Sequence, residues 1–399
     1  MIKDFLGHCD AESVHCIMVD SWVLKALVEE TLEEARNNYS PCKHLCRNHI
    51  YTFAVRESDF QSLKSGVLPK LKSSGYAIRV TMQRFLDIPT HINLRYHENH
   101  AIHIVILHHK NNWWWYGPDE EDEFGMEFTK TEGALDEFDY DFKVTLDGIE
   151  MYMPHYPSRF LAMYEQSFFI PCNKSRSETF LQKYPKLLGL NATTYRERST
   201  KTLALIRSRL DGYGIPFWIN NATLLGWYQQ CSTIPFGINI DIGVYITNYA
   251  DDLLANLRAS LFFVQEKFGF PEDSLQFAFN MGDFKLVISF FYEDTSSGKM
   301  WYGGTDPKTG NKYKYTFDKF KLCWSSLEGV KVRIPCDTNN YLRSLLGDNL
   351  LVPLKTWDWT MSPGIISNGR WHKDVMDEAI QLWDQKGKRL SLDLTRDEL

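Results

Sequence analysis

Residues 234–246 read IPFGINIDIGVYI, and their types and spacing suit a strand that does chemistry. Side chains two apart on a β-strand share a face, so Asn239 and Asp241 project together. Two acids at that spacing can grip one divalent cation, because Mg²⁺ prefers hard oxygen ligands about 2 Å away. A third acid on the neighbouring strand completes such a cradle. The ion then neutralises phosphate charge and polarises phosphorus for in-line displacement. Only one acid, Asp241, stands in this stretch. Asn239 offers a neutral carbonyl oxygen, a weaker metal ligand than a carboxylate.

Several elements must position this strand. RERSTKTLALIRSRLDGY (196–213) repeats Leu203, Ile206 and Leu210 at helical spacing, and Gly214 follows as a stop. IPFWI then reads as a strand, ATLLGWYQQ as a short helix, INIDIGVYI as a second strand and NYADDLLANLRASLF as a helix. DSLQFAFNMGDFKLVISFFYED reads as a hairpin turning near Gly282. Its second arm is the natural neighbour of the Asp241 strand. Lys285, Val287, Ser289 and Phe291 share one face of that arm, with no acid among them. Asp283 lies four residues before Val287, roughly 13 Å along a strand, too far to replace an acid at 287.

The first half has no chemical motif. Residues 13–30 give a short apolar run and a helix, 101–116 a strand, PDEEDEFGMEF a solvated loop, and FKVTLDGIEMYMP strand-like structure. His108 and His109 sit at a strand end without nearby acids and read as structural. A polar stretch from 172 to 195 separates the halves. We expect an α/β domain over 1–170, a second domain over 171–386 and a tail over 387–399.

The chain has 399 residues, too many for one ordinary core, which suggests two domains. Its 44% hydrophobic and 14% aromatic content excludes wholesale disorder. Nothing in a net charge of −7 suggests a nucleic-acid binder, which needs a concentrated basic face. Eight cysteines are spread thinly. Cys42 and Cys46 form a C-x3-C pair without a second close pair, which favours a disulfide or free thiols over zinc. No apolar run reaches the roughly 20 residues that span a bilayer, and the first 20 residues are not a signal peptide. Sequons at Asn38, Asn173, Asn191 and Asn221, and a final RDEL close to the ER retrieval signal, nonetheless point to the secretory route. A leader or membrane anchor is therefore expected to be absent from this chain. Asn221 falls in the turn before the site helix, too enclosed for glycosylation.

IPFWINNATLLGWYQQCSTIPFGINIDIGVYI resembles the metal-site segment of the fukutin proteins, within the LicD phosphotransferase family. The resemblance continues through FGFPEDSLQFAF, KLVISFFYED, MWYGGTDPKTGNKYKYTF, FKLCW, VRIPC and VPLKTWDWTMSP, and reaches back through IEMYMP and SPCKHLCRNHIYTFA. MIKDFLGHCD resembles the region just after the family's membrane anchor and stem. The resemblance implies a mixed α/β architecture, with an N-terminal α/β domain before a nucleotidyltransferase-like domain of mixed sheet and flanking helices. It implies a type II membrane protein of the ER or Golgi lumen, touching the membrane only through the absent anchor. It implies transfer of ribitol 5-phosphate, or a similar phospho-polyol, from a CDP-linked donor to an O-linked glycoprotein acceptor, as on α-dystroglycan, with Mg²⁺ or Mn²⁺.

Under that resemblance Asp241 is the metal ligand, with Asn239 beside it as a catalytic candidate. Lys285, Lys308, Lys312 and Lys314 are candidates to contact a pyrophosphate, the alternative being a solvated turn and strand. Gly226 and Trp227 join them as candidate substrate-binding residues. Trp357 and Trp359 read as core. The chain departs from the family pattern at five places. Asn239 and Val287 stand where acids are expected, Ala222 where Gly precedes the site helix, Gln229 where Arg follows Trp-Tyr, and two Leu near residues 346–350 where Tyr and Trp are expected. Val287 coordinates nothing. Two readings stay open. One is an active transferase using Asp241, Asn239 and a further acid, with Asp283, Asp273 and Glu293 to inspect. The other is a pseudotransferase that keeps the fold and binds a glycan, a nucleotide or a related transferase partner.

Overall fold

The computed structural model describes residues 1–33, 44–45, 49–83, 86–96, 100–119, 128, 131–188, 190–235, 237, 239–259, 262–353, 362–384 and 386–391. Asn38, Cys42, Cys46, most of the acidic run, Trp357, Trp359 and the RDEL end lie outside these residues. Among the described residues no helix is long and apolar enough to cross a membrane. The chain divides into two compact units, Met1–Ile170 and Pro171–Leu399.

In the first unit, α1 (Ile2–Ala11) buries Ile2, Phe5, Leu6 and Cys9, a spacing that puts them on one helical face. The strand β1 (Ile17–Met18) and helix α2 (Ser21–Glu33) follow. The strand β2 (Ile50–Arg56) leads into α3 (Phe60–Ser62), a π-helical turn Leu63–Val67 and α4 (Leu68–Ser73). Next come β3 (Ala77–Gln83), β4 (Ile88–Tyr96) and β5 (His100–Lys110). β5 pairs in parallel with β2 and antiparallel with β4. Its residues Ala101 to His108 are buried, as a near-continuous apolar run in a parallel pairing requires. The run 101–116 is not one strand. Asn111 takes φ 57° and turns the chain into β6 (Trp113–Tyr116), which pairs back on β5. The two histidines do have acids beside them, contrary to expectation: His108 lies between the Pro89 carbonyl at 2.7 Å and Glu57 at 3.1 Å, and His109 faces Glu137 at 2.7 Å. The strands β7 (Gly133–Asp136), β8 (Lys143–Leu146) and β9 (Ile149–Tyr152) and helix α5 (Pro157–Glu165) complete the unit. Its sheet runs β3-β4-β5-β2-β1-β9-β8, with β6 and β7 off β5.

The second unit begins with helices where the sequence suggests a polar spacer. They are α6 (Lys174–Lys183) and α7 (Leu190–Gly212), the latter extending N-terminally beyond the expected 196–213. The α6 helix hides its period because it buries little beyond Ser177 and Phe180. Its start is set by Asn173, whose side chain accepts from the Arg176 amide at 2.8 Å. The strand β10 (Phe217–Ile219), helix α8 (Asn221–Gln230), strand β11 (Asn239–Tyr245) and helix α9 (Leu253–Ala259) then follow. A meander comes next: β12 (Phe263–Phe270), β13 (Asp273–Asn280), β14 (Lys285–Asp294), β15 (Lys299–Thr305) and β16 (Asn311–Phe317). A separate hairpin, β17 (Leu322–Leu327) and β18 (Val330–Pro335), precedes α10 (Thr338–Leu346). The strand β19 (Ile365–Arg370), helix α11 (Met376–Ala379) and strand β20 (Ile380–Leu382) end the described chain. The mixed α/β class expected from the sequence is the one observed.

The centre of this sheet is β14. β11 runs parallel along one side of it, from Asn239↔Lys285 to Tyr245↔Phe291. On the other side β13 pairs with the first half of β14 and β15 with the second. β10 pairs outside β11, placing Trp218 directly opposite Gly243. Trp218 is fully buried, and its ring packs near Tyr245, Phe291 and Phe320 at centroid distances of 4.8, 4.7 and 5.6 Å. A methyl group on Gly243 would lie 2.3 Å from the indole. Gly243→Ala therefore forces the largest aromatic beside β11 out of place. We expect a loss of about 1–3 kcal/mol in unfolding free energy, read as a lower urea midpoint at unchanged slope.

Candidate functional site

Asp241 is 4% exposed and is tied to the start of α8 by three hydrogen bonds. Its carboxylate accepts from the Ala222 amide. Its own amide donates to Thr223 Oγ1 at 2.8 Å. Its carbonyl accepts from the Asn220 amide at 2.9 Å. A carboxylate at a helix N-terminus is favoured by the unpaired amides and the helix dipole there. Two tyrosines from distant strands and helices hold the same turn. Tyr302 Oη donates to Asn221 Oδ1 at 3.0 Å, and Tyr341 Oη to Asn220 Oδ1 at 2.6 Å. Asn221 has φ 42°, a left-handed conformation that Asn tolerates better than most residues. It is 8% exposed, so its sequon is enclosed as expected.

The far end of α8 is pinned as firmly. Cys231 takes φ 54° and forms a disulfide with Cys172. Gly226, expected among the substrate-binding residues, is a packing requirement: a methyl group there would meet the Ser232 carbonyl oxygen at 2.5 Å and the Ile234 nitrogen at 2.9 Å. Trp227 is 2% exposed and belongs to the interior of the unit. Gln229 is also buried and gives its amide to the Leu350 carbonyl at 2.7 Å.

The register of the sheet shows what lies beside Asp241. Asp241 pairs with Val287, Val287 with Ala278, and Ala278 with Glu266. These four form one row across the sheet, and a valine holds the place of the nearest acid. Glu266 stands three strand spacings from Asp241, roughly 14 Å. Its carboxylate accepts from Lys285 Nζ at 2.7 Å. Lys285 shares the Asp241 face through its pairing with Asn239, and its charge acts on Asp241. Asn239 itself is exposed at the start of β11.

The three acids singled out from the sequence are all engaged elsewhere. Asp283 binds Arg198 at 2.8 Å, Asp273 binds Lys312 at 2.6 Å, and Glu293 binds Lys319 at 2.7 Å. Among the described residues no group of three His, Cys, Asp or Glu side chains could hold a metal ion. One buried carboxylate facing a valine and a lysine does not fit a carboxylate-cradled divalent centre.

Lys312 and Lys314 are not brought to Asp241. They alternate along β16 with Tyr315 and Phe317, which belong to the Asp241 side: Tyr315 stacks on Tyr302 at 4.6 Å and Phe317 on Tyr341 at 4.5 Å. The two lysines therefore emerge from the opposite face. Lys312 covers Trp371 at 4.2 Å and Lys314 covers Trp301 at 4.1 Å. Lys308 is exposed, in the turn where its amide donates to Asp306. Of the four candidate lysines only Lys285 reaches the site. Sequence reasoning missed Thr223, Tyr195, Tyr302 and Tyr341. Thr223 was legible as a hydroxyl at a helix start, whereas the tyrosines arrive from elements far along the chain.

Burial pushes the Asp241 carboxyl up to about 7, against the Ala222 amide and Lys285, which lower it. Tyr195 is pushed to about 12, first by burial and then by Asp241. The site is thus a dry acid beside a phenol, one ammonium and a helix N-terminus. Beside the aromatic wall a cavity of about 300 Å³ is lined by Phe317, Phe320, Tyr341, Lys319 and Lys321.

Two family models match the chain. One, described as Fukutin N-terminal, covers residues 1–200; the other, described as LicD/FKTN/FKRP nucleotidyltransferase domain, covers 214–337. Ribitol-5-phosphate transferase FKTN of Mus musculus is 31% identical over 408 residues, covering 96% of this chain and 88% of that protein. Its Homo sapiens counterpart is 32% identical over 415 residues, with the same coverage. A Caenorhabditis elegans protein is 29% identical over 191 residues, 45% of this chain and 49% of its own length.

The raised Asp241 value has a consequence for stability in the presence of a chelator. Below the ordinary aspartate range both folded and unfolded chains are protonated at this position. As pH rises, the unfolded chain releases its proton first while the folded chain retains it. Stability therefore falls with pH until about 7 and then levels off. Asp241→Asn is expected to flatten that slope and to raise the urea midpoint above neutrality, measured by denaturation across the pH range.

Proposed function

Because this chain belongs to the fukutin group of the LicD family, we propose that it transfers ribitol 5-phosphate, or a similar phospho-polyol, from a CDP-linked donor to an O-linked protein glycan in the ER or Golgi lumen. The observation that carries this reading is the LicD nucleotidyltransferase match over 214–337, which contains β10, α8, β11 and β14, the elements built around Asp241. Lys285 meets the phosphate charge of the donor. Asp241, held at the helix start, orders the turn against which the donor lies. In the family reaction Mg²⁺ or Mn²⁺ would neutralise phosphate charge. No step is assigned to an ion in this chain, because its donor set does not fit one.

The pairing of Asp241 with Val287 favours a second reading, a pseudotransferase that binds donor, glycan or a related transferase without turnover. Each missing carboxylate removes stabilisation of the charge that develops at phosphorus, typically on the order of 100-fold in rate. The transferase reading therefore expects slow turnover of CDP-ribitol with Mn²⁺ or Mg²⁺ and an O-glycosylated acceptor, abolished by Asp241→Ala. Product on the acceptor would be followed by mass spectrometry. Donor binding in calorimetry with no product would move the chain to the second reading. Absence of donor binding would remove the transferase reading and leave the second only as a binder of glycan or of a related transferase.

The two lost acids can also be put back. Asn239→Asp combined with Val287→Asp places three carboxylates on adjacent strand positions, two of them directly paired. Calorimetry with Mn²⁺ is expected to show affinity rising on the order of 100-fold over the parent chain. An unchanged affinity would mean that position 287 is not where the family's acid acts.

A further inference from the structure

We propose that Cys9 and Cys16 form a disulfide in the mature protein. Their sulfurs stand 2.6 Å apart. Non-bonded heavy atoms rest about 3.5 Å apart or more, whereas a disulfide closes at about 2.05 Å. Local chain geometry brings them together. The chain turns back on itself at the end of α1: the Glu12 amide donates to the Cys9 carbonyl at 3.1 Å and the Val14 amide at 2.9 Å. Ser13 takes φ 55° to make that reversal. Cys16 then stands just before β1, against the helix it left. Both residues are 1% exposed and belong to the apolar core of the first unit.

A second observation comes from the other unit. Cys172–Cys231 and Cys323–Cys336 are bonded, with Cα separations of 5.6 and 5.1 Å. Two such bonds place the chain in a disulfide-forming compartment during folding. The oxidant is another disulfide, such as glutathione disulfide. One cysteine thiolate attacks it, giving a mixed disulfide and releasing one thiol. The second cysteine thiolate then displaces the remaining glutathione thiolate. Two S–H bonds are lost, one S–S bond forms, and the oxidant leaves as two thiols. Burial and the neighbouring Cys9 hold the Cys16 thiol well above its ordinary value in the folded chain. The exchange therefore belongs to folding, before the core closes, and the finished bond is shielded from reductant. Its effect is to staple α1 to the strand β1 at the edge of the core.

The test uses the full chain produced in a secretory host. The protein is denatured without reductant in excess iodoacetamide, digested with trypsin and analysed by mass spectrometry. Cys9 and Cys16 fall in one peptide, residues 4–25. We expect that peptide unalkylated and two hydrogens lighter than its reduced form, becoming doubly alkylated only after reduction. Recovery of the doubly alkylated peptide without reduction would overturn the proposal. So would linkage of Cys9 or Cys16 to the peptides carrying Cys42 or Cys46. Cys16→Ser is expected to leave Cys9 alkylated without reduction. The Cys9→Ala, Cys16→Ala double variant is expected to melt about 5 °C lower. If the variants do not fold, the mass of the unaltered protein still decides.

Discussion

The second unit is organised around the three hydrogen bonds between Asp241 and the first turn of α8. They join the central pairing of β11 and β14 to the start of α8. An isolated buried carboxylate is costly, and this one is pushed up to about 7 by burial. The Ala222 amide offsets part of that cost, since hydrogen bonds to a charged group contribute about 1.5–3 kcal/mol. Thr223 and Asn220 close the arrangement from the backbone side. The turn is further held by Tyr302 and Tyr341, one on the meander and one on α10. Strand, helix and aromatic wall therefore share a single hydrogen-bonded node.

Around this node the charges are largely spent. Lys285 answers Glu266, Lys312 answers Asp273, Lys319 answers Glu293 and Arg198 answers Asp283. The last two pairs are well exposed, and such pairs contribute little to stability. They do decide which charges remain for a ligand. Of these cations only Lys285 has been shown to act on the Asp241 side, and it is bound to an acid two strands beyond Val287. A phosphate donor meeting this face would compete with Glu266 for that ammonium. The cost of freeing it is part of why the family chemistry is expected to be slow.

Much of this was legible in the residues. Period two put Asn239 and Asp241 on one face, and the hairpin at Gly282 delivered position 287 beside Asp241, where the register places it. What was not legible depends on contacts far along the chain. The lysines of PKTGNKYKY looked available for a pyrophosphate because nothing local says which face of β16 meets the site. That is decided by Tyr315 pairing with Tyr302 and by Phe317 stacking on Tyr341. Gly226 and Trp227 carried the family signature and so looked functional, but their spacing serves the packing of a fully buried helix. The α6 helix shows no apolar period because it buries too few apolar side chains.

The persistence of Asp241 in a site with Asn239 and Val287 does not by itself argue for a metal. Its carboxylate already has a second task, accepting an amide at the head of α8. An acid that serves only as an ion ligand loses its purpose when its partners are replaced, and a neutral residue would then remove a costly buried charge. An acid that also caps a helix keeps a reason to stay. The same reasoning separates positions 239 and 287. Asn239 is exposed at the strand start, and Val287 is half-buried near the start of β14, outside the apolar core. Neither side chain takes part in the hydrogen bonds of the node, whereas the Asp241 side chain accepts one of them. The acid present at this site is thus the one whose carboxylate the hydrogen bonds of the fold use.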